Sequence, residues 1–186
     1  MALEQLIKDC KKNDVKAQEQ LYRQFAPKMF SVCLKYSRSY AEAQDHLQDG
    51  FLLVFEKIHL FEFRGSFDGW IKRVMINHIL QQYRNKSFLS VIDENTPEEI
   101  EVEIDTEIST EFLMKIIQEL PDRYRLVFNL NVFQNYTHQE IATALGISVG
   151  TSKSNLARAK MILKEKIETT TGSAKMPSIK RVKEKI

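Results

Sequence analysis

Apolar residues recur every three to four positions along most of this chain, the spacing that predicts helices. Only six Gly and four Pro in 186 residues interrupt that period. The first block, residues 1–86, predicts helices near 2–12, 15–36, 40–60 and 69–86. In the second of these, Leu21, Phe25, Met29, Val32 and Cys33 share one face. Ser39 and Tyr40, with Glu42 close behind, mark a helix start, and "FRGSFDG" breaks the pattern before the last helix. The period disappears in "SFLSVIDENTPEEIEVEIDTE", which holds Pro97 and reads as a linker over 87–109. It resumes at "EFLMKIIQEL", and Pro121 stands where a first helical position would be. From Thr169 the chain turns polar and basic, which predicts a mobile tail over 169–186. The expected fold is all-α: two small helical domains, 1–86 and 110–168, joined by the linker.

Composition narrows the class. Hydrophobic content of 43% is enough for real cores and too high for a disordered chain. Two cysteines, Cys10 and Cys33, make no disulfide framework and belong to no CxxC or Cys/His cluster, which fits a reducing, cytosolic setting. The amino terminus "MALEQLIKDCKKND" is amphipathic and lacks the apolar stretch of a signal peptide. No run approaches the roughly 18 apolar residues of a membrane span, so no membrane insertion is expected. The net charge is only +2, but it is segregated. Between Ser87 and Met114 there are nine acids and no Lys or Arg, which leaves +11 on the rest. A basic body suits a polyanion partner, and the acidic strip suits a basic one or serves as a self-repelling spacer.

The stretch "YTHQEIATALGISVGTSKSNLARAK", residues 136–160, carries the most specific pattern. Thr137 followed three residues later by Glu140 is a capping box at a helix start. Ile141, Ala142 and Leu145 make the apolar side, with Ala142 small enough for a second helix to cross closely. Gly146 can adopt the left-handed conformation that ends a helix, and Ser148 can cap the next one. Helix, tight turn and basic helix in register predict a helix-turn-helix. Its second helix presents Thr151, Lys153, Ser154, Asn155, Arg158 and Lys160. Lys and Arg reach guanine edges or phosphates, and Asn pairs with adenine in a major groove. With "LPDRYRLVFNL" before it and "MILKEKI" after it, this stretch resembles region 4 of bacterial RNA polymerase sigma factors. Ser152 departs from that pattern, where an apolar residue is commoner.

The first block extends the resemblance. "AEAQDHLQDGFLLVF" puts Asp45, Gln48 and Asp49 on one helical face, with Leu47, Phe51 and Leu52 adjoining. Carboxylates beside an apolar patch suit a basic protein surface. The likeness to sigma region 2 implies that this surface binds core polymerase. Asp45, His46 and Asp49 make a poor metal site, because one exposed turn offers no distant fourth ligand. Next, "LFEFRGSFDGWIKRVMINHILQQYRNK" interleaves Phe61, Phe63, Phe67 and Trp70 with Arg64 and two glycines. Aromatic faces beside positive charge are what unpaired bases require, although such rings also build cores. In the helix that follows, Ile71, Val74, Met75, His78 and Ile79 form the inward stripe, with Arg73, Asn77, Leu80, Gln81 and Arg84 opposite. The stretch resembles sigma regions 2.3 and 2.4. That resemblance implies Arg64, Phe67, Lys72, Arg73, Asn77, Gln81 and Arg84 at the −10 element and its opening, and Thr151, Lys153, Ser154, Asn155 and Arg158 at the −35 element.

No block resembling regions 1.2 or 3 separates the modules, an economy similar to the extracytoplasmic-function (ECF) subfamily. The resemblance implies core RNA polymerase and promoter DNA, both double- and single-stranded, as partners, with no cofactor, metal or catalytic residue. It also implies a chain that is monomeric when free or held by a regulator such as an anti-sigma factor. A stand-alone helix-turn-helix operator-binding regulator is the alternative. An enzyme on nucleic acid lacks its parts: no phosphate loop, no metal spacing, no nucleophile beside a base, and four scattered histidines.

Overall fold

The computed structural model describes residues 2–85 and 109–171. The acidic segment expected as a linker and the tail beyond Thr171 lie outside the described residues. Among the described residues the chain forms α1 (Leu3–Cys10), α2 (Val15–Tyr36), α3 (Tyr40–Lys57), α4 (Phe67–Asn85), α5 (Thr110–Gln118), α6 (Asp122–Val132), α7 (His138–Leu145) and α8 (Val149–Thr171). A 3-10 turn, Ile58–Leu60, continues α3, and no strand occurs among these residues. The chain divides into two compact units, Met1–Gln81 and Gln82–Ile186. The division falls inside α4, five residues before the expected end of the first domain.

Unit 1 is built around α2. Asp14 caps its start by accepting from the Ala17 amide at 3.0 Å. Leu21, Phe25, Met29, Val32 and Cys33 then run down its buried side, as the spacing predicts. Ser39 caps α3 through the Glu42 amide, 3.2 Å away. Where α3 meets α4, Gly50 leaves room that a side chain would take: a Cβ there would lie 2.1 Å from the buried sulfur of Met75. Ser66 starts α4 by accepting from the Gly69 amide at 3.0 Å. The inward face of α4 holds Ile71, Met75, His78 and Ile79 as expected, leaves the expected Val74 half-buried, and also buries Leu80. Leu80 was expected on the opposite face. It follows Ile76 by four residues and continues a second buried row beside the first.

Unit 2 rests on α6, whose residues from Tyr124 to Val132 are all buried. Pro121 caps this helix rather than opening it, a difference of one position. Arg125 is buried to 1% exposure. Its guanidinium donates to the Asp122 carboxylate and to the Gln118 and Leu120 carbonyls at 3.1 and 2.8 Å. Those carbonyls belong to the last turn of α5 and the residues after it, where a helix leaves acceptors unused. One cation thus ties the end of α5 to the start of α6. The last helix, α8, runs to Thr171, so residues 169–171 are helical rather than tail.

Candidate nucleic-acid and polymerase interfaces

The helix-turn-helix is locally specified, and each local element of it forms. Thr137 Oγ1 accepts from the Glu140 amide at 3.2 Å, and the Glu140 carboxylate accepts in return from the Thr137 amide at 2.8 Å. That amide and the Thr137 hydroxyl hold the Glu140 carboxyl below its ordinary pKa. Gly146 sits at φ 68°, in the left-handed region. The Ile147 amide then closes back on the Ala142 carbonyl at 3.1 Å. Ser148 caps α8 through the Thr151 amide at 2.9 Å. Ser152, the position where an apolar side chain is commoner, is fully buried, and its hydroxyl meets His138 Nδ1 at 2.9 Å. That bond satisfies the polar group and pins the first turn of α7 to the first turn of α8.

The five residues expected to face the upstream element are not equally placed. Lys153 is exposed, and Thr151 and Arg158 are half-buried. Ser154 and Asn155 are buried to 9% and 7%, which corrects the expectation that they are open to a groove. Asn155 lies only about 60° round the helix from the inward row of Ser152, Ala159 and Leu163. Ser154 donates its hydroxyl to the Thr151 carbonyl of its own helix at 3.1 Å.

On α4, Arg73, Asn77, Gln81 and Arg84 are exposed and recur at three- to four-residue spacing, while Lys72 is half-buried. They form one polar row, as expected without Leu80. Arg64 is exposed beside Glu62, 3.4 Å away. The aromatic segment departs from expectation. Phe67 is buried to 4%, edge-on to Phe25 and Phe61 at 5.3 and 5.1 Å, and stacked on Trp70 at 5.5 Å. Enclosed this way, its ring offers no face to a base. The open ring is Phe63, 39% exposed, at φ 59° in the loop before α4. Spacing alone does not separate the two, because the left-handed residue that turns Phe63 outward is not a glycine.

On α3, Asp45, Gln48, Asp49 and Leu52 are exposed and form the mixed carboxylate and apolar surface the sequence predicts. Leu47, buried to 9%, and Phe51 do not belong to it: the Phe51 ring is buried to 2%, 4.6 Å from Tyr22 and 5.9 Å from Phe55. One residue of helix rotation separates buried Phe51 from Leu52, which is 64% exposed. His46 points inward, its ring 6.3 Å from that of His78. His78 Nε2 lies 3.8 Å from Asp49. Burial lowers the His78 pKa more than the Asp49 carboxylate raises it, so the imidazole is neutral at neutral pH and the contact is not an ion pair.

Burial pushes the Cys10 and Cys33 thiols to about 11 and 12, which keeps them protonated and unreactive at neutral pH. Among the described residues, no group of three or more His, Cys, Asp and Glu side chains is placed to hold a metal ion, and no helix is long and apolar enough to cross a membrane.

The chain thus pairs a helix-turn-helix whose second helix is basic with a helical unit that carries basic, aromatic and carboxylate surface. Residues 21–88 match the family described as Sigma-70 region 2, and residues 112–163 match Sigma-70, region 4. The chain belongs to the RNA polymerase sigma factors of the ECF group, and it serves transcription initiation with core polymerase and promoter DNA. It is 30% identical over 127 residues to the RNA polymerase sigma-E factor of Streptomyces coelicolor, covering 68% of this chain and 72% of that one. It is 26% identical over 185 residues to the ECF sigma factor SigW of Bacillus subtilis, covering 90% and 97%. Its fold is similar to that of the sigma factor RpoE from Bartonella quintana, solved in complex with the anti-sigma factor NepR. There the TM-score is 0.51 at 21% identity, over 83% of this chain and 98% of that one. Sigma factors are not themselves enzymes, and the operator-binding alternative gives way to this family.

Proposed function

We propose a division of labour among the surfaces. The α8 helix reads the upstream promoter element through Lys153, Arg158 and Thr151. The exposed row of α4, with Lys72 and Arg64, contacts the downstream element, and the loop before α4 receives unpaired bases. Asp45, Gln48, Asp49 and Leu52 dock on core polymerase. Ser154, Asn155, Phe51 and Phe67 take no direct part while they stay buried. No residue is assigned a catalytic step. An anti-sigma factor as the holding partner, of the kind NepR is for the Bartonella protein, belongs to the same proposal.

The observation that carries this reading is the separation of surfaces. The carboxylate face lies on α3 and the basic faces lie on α4 and α8, so charge sorts protein partner from nucleic acid. Each reader alone is weak, since one base position contributes about 1–3 kcal/mol of discrimination. Joined in one chain, the second contact forms at an effective concentration that reaches millimolar. The 23 residues of 87–109 span at most roughly 75–80 Å at about 3.3–3.6 Å each. Two turns of duplex, each about 34–36 Å, fall within that reach.

Paired variants test the assignment. Asp49→Arg should lower affinity for core polymerase at least about tenfold through like-charge repulsion across the interface. Lys153→Ala should leave that affinity unchanged. It should weaken promoter binding by the assembled holoenzyme about three- to tenfold, mostly at low salt. Pull-down of core enzyme and footprinting of the holoenzyme separate the two. Loss of core affinity in Lys153→Ala, or normal core affinity in Asp49→Arg, would overturn the assignment.

A further inference from the structure

The first helix lies outside the matched region 2 segment, yet it reaches into the loop that offers the exposed aromatic ring. Lys11, which caps the end of α1, donates its ammonium to the Phe61 carbonyl at 2.5 Å. The same ammonium stands 4.9 Å from the centre of the Phe63 ring. Lys8, one turn earlier on α1, brings a second cation to 5.9 Å from that ring. Phe63 needs such support, because a bulky residue at φ 59° occupies a backbone region that side chains of its size avoid. Fifty residues of sequence separate Lys11 from the carbonyl it binds.

We propose that Lys11 is a positioning residue for strand opening: with its hydrogen bond and its charge it fixes the Phe61–Ser66 loop so that the Phe63 ring is presented to an unpaired promoter base. Three features support this. The bond to Phe61 anchors the loop at its buried end, where Phe61 packs on Phe67 and Trp70 at 5.1 and 5.6 Å. The cation over the ring holds the loop's open end against relaxation of its left-handed residue. The Lys11 ammonium beside an exposed aromatic also forms the pairing of stacking surface and positive charge that single strands use, while the nearby Lys8 is held by Glu4 at 2.6 Å. The amino-terminal helix therefore supplies part of the opening apparatus, a role that neither its amphipathic pattern nor its position before the matched segment suggests.

This inference rests on the reading that the loop before α4 receives unpaired bases, and the test keeps the two apart. Full-length chains are assembled with core polymerase on a promoter fragment that the wild-type holoenzyme transcribes. Strand opening is followed by permanganate reactivity or by 2-aminopurine fluorescence near the downstream element. The set comprises wild type, Lys11→Met, Lys11→Arg, Phe63→Ala and the double variant Lys11→Met/Phe63→Ala. Lys11→Met keeps the aliphatic stem and loses the cation and the donor. It should slow opening about five- to tenfold, with core affinity, closed-complex affinity and thermal midpoint unchanged. Lys11→Arg, which keeps both charge and donor, should open within about twofold of wild type. In the Phe63→Ala background, Lys11→Met should add less than about twofold, since its target is gone. Wild-type opening by Lys11→Met, or an equal slowing with and without the Phe63 ring, would overturn the role. Should Phe63→Ala itself open at the wild-type rate, the reading of the loop fails instead, a distinguishable outcome.

Discussion

Replacing Phe67 by alanine should destabilise unit 1 by about 3–5 kcal/mol, the range for deleting a fully packed aromatic ring. The ring touches three others, Phe25, Phe61 and Trp70, each with its centre 5.1–5.5 Å away. Truncation removes the apolar area and also opens a void that a helix start cannot easily collapse. The chain's single tryptophan reports the result, because Trp70 stacks on the deleted ring. Urea unfolding followed by Trp70 fluorescence should show a midpoint moved well down, with an altered folded-state emission. Phe63→Ala is the contrast. That ring is 39% exposed, so its loss should change stability by less than about 1 kcal/mol. It should instead slow strand opening about fivefold or more, given roughly 1–3 kcal/mol for a base stacked on an aromatic ring. An unaltered Trp70 transition in Phe67→Ala would mean the ring is not the core element described here.

Unit 2 has its corresponding point of failure at Arg125. Arg125→Met preserves length and apolar stem but leaves the Asp122 carboxylate buried at 8% exposure without its cation. It also removes the donor from the Gln118 and Leu120 carbonyls. Breaking a buried pair from one side costs about 3–5 kcal/mol, because the remaining charge must stay desolvated or drag water inward. The sign of a second substitution discriminates between causes. Adding Asp122→Leu removes the buried carboxylate that has lost Arg125 and should return at least about 1 kcal/mol, whereas simple loss of packing would make the double variant worse. Far-UV circular dichroism during urea unfolding reads both outcomes. The functional consequence is upstream recognition, since α6 is the packing support of α8 and α8 carries Lys153 and Arg158.

The parts of the fold that were legible in the sequence are those decided by neighbours in the chain. Thr137 and Glu140, Gly146 and Ser148 fix a helix start, a left-handed stop and a second start through bonds spanning three to five residues, so reading them needed no knowledge of the whole. Helix periodicity likewise placed Asp45, Gln48 and Asp49 together on α3 and Arg73, Asn77 and Gln81 together on α4. What the sequence left ambiguous depends on rotation or on distant partners. Phe51 and Leu52 are adjacent apolar residues, and the inward one is the one that packs on Tyr22 of α2. Leu80 and Asn155 sit at the borders of their buried rows, where a few tens of degrees settle exposure.

The loop before α4 shows the same limit more sharply. Phe61, Phe63, Phe67 and Trp70 carry nearly the same sequence signal, and the structure assigns one ring, Phe63, to the surface and packs the other three on one another. The deciding facts are a positive φ at Phe63 and a lysine, Lys11, 50 residues before the Phe61 carbonyl it binds, neither of which leaves a local pattern. Ser152 is the converse case. Its polarity looked out of place within an apolar row, and the explanation is a single bond to His138, 14 residues away.

The account stands on the claim that this chain selects promoters only as part of a holoenzyme. The direct measurement is footprinting of one transcribed promoter fragment by the full-length protein, with and without core polymerase, at equal concentration and near-physiological salt. The account predicts protection of two separate elements with core enzyme present, and no specific protection by the protein alone. Equal protection without core polymerase, at a site of two-fold symmetry, would contradict it and return the chain to the operator-binding regulators.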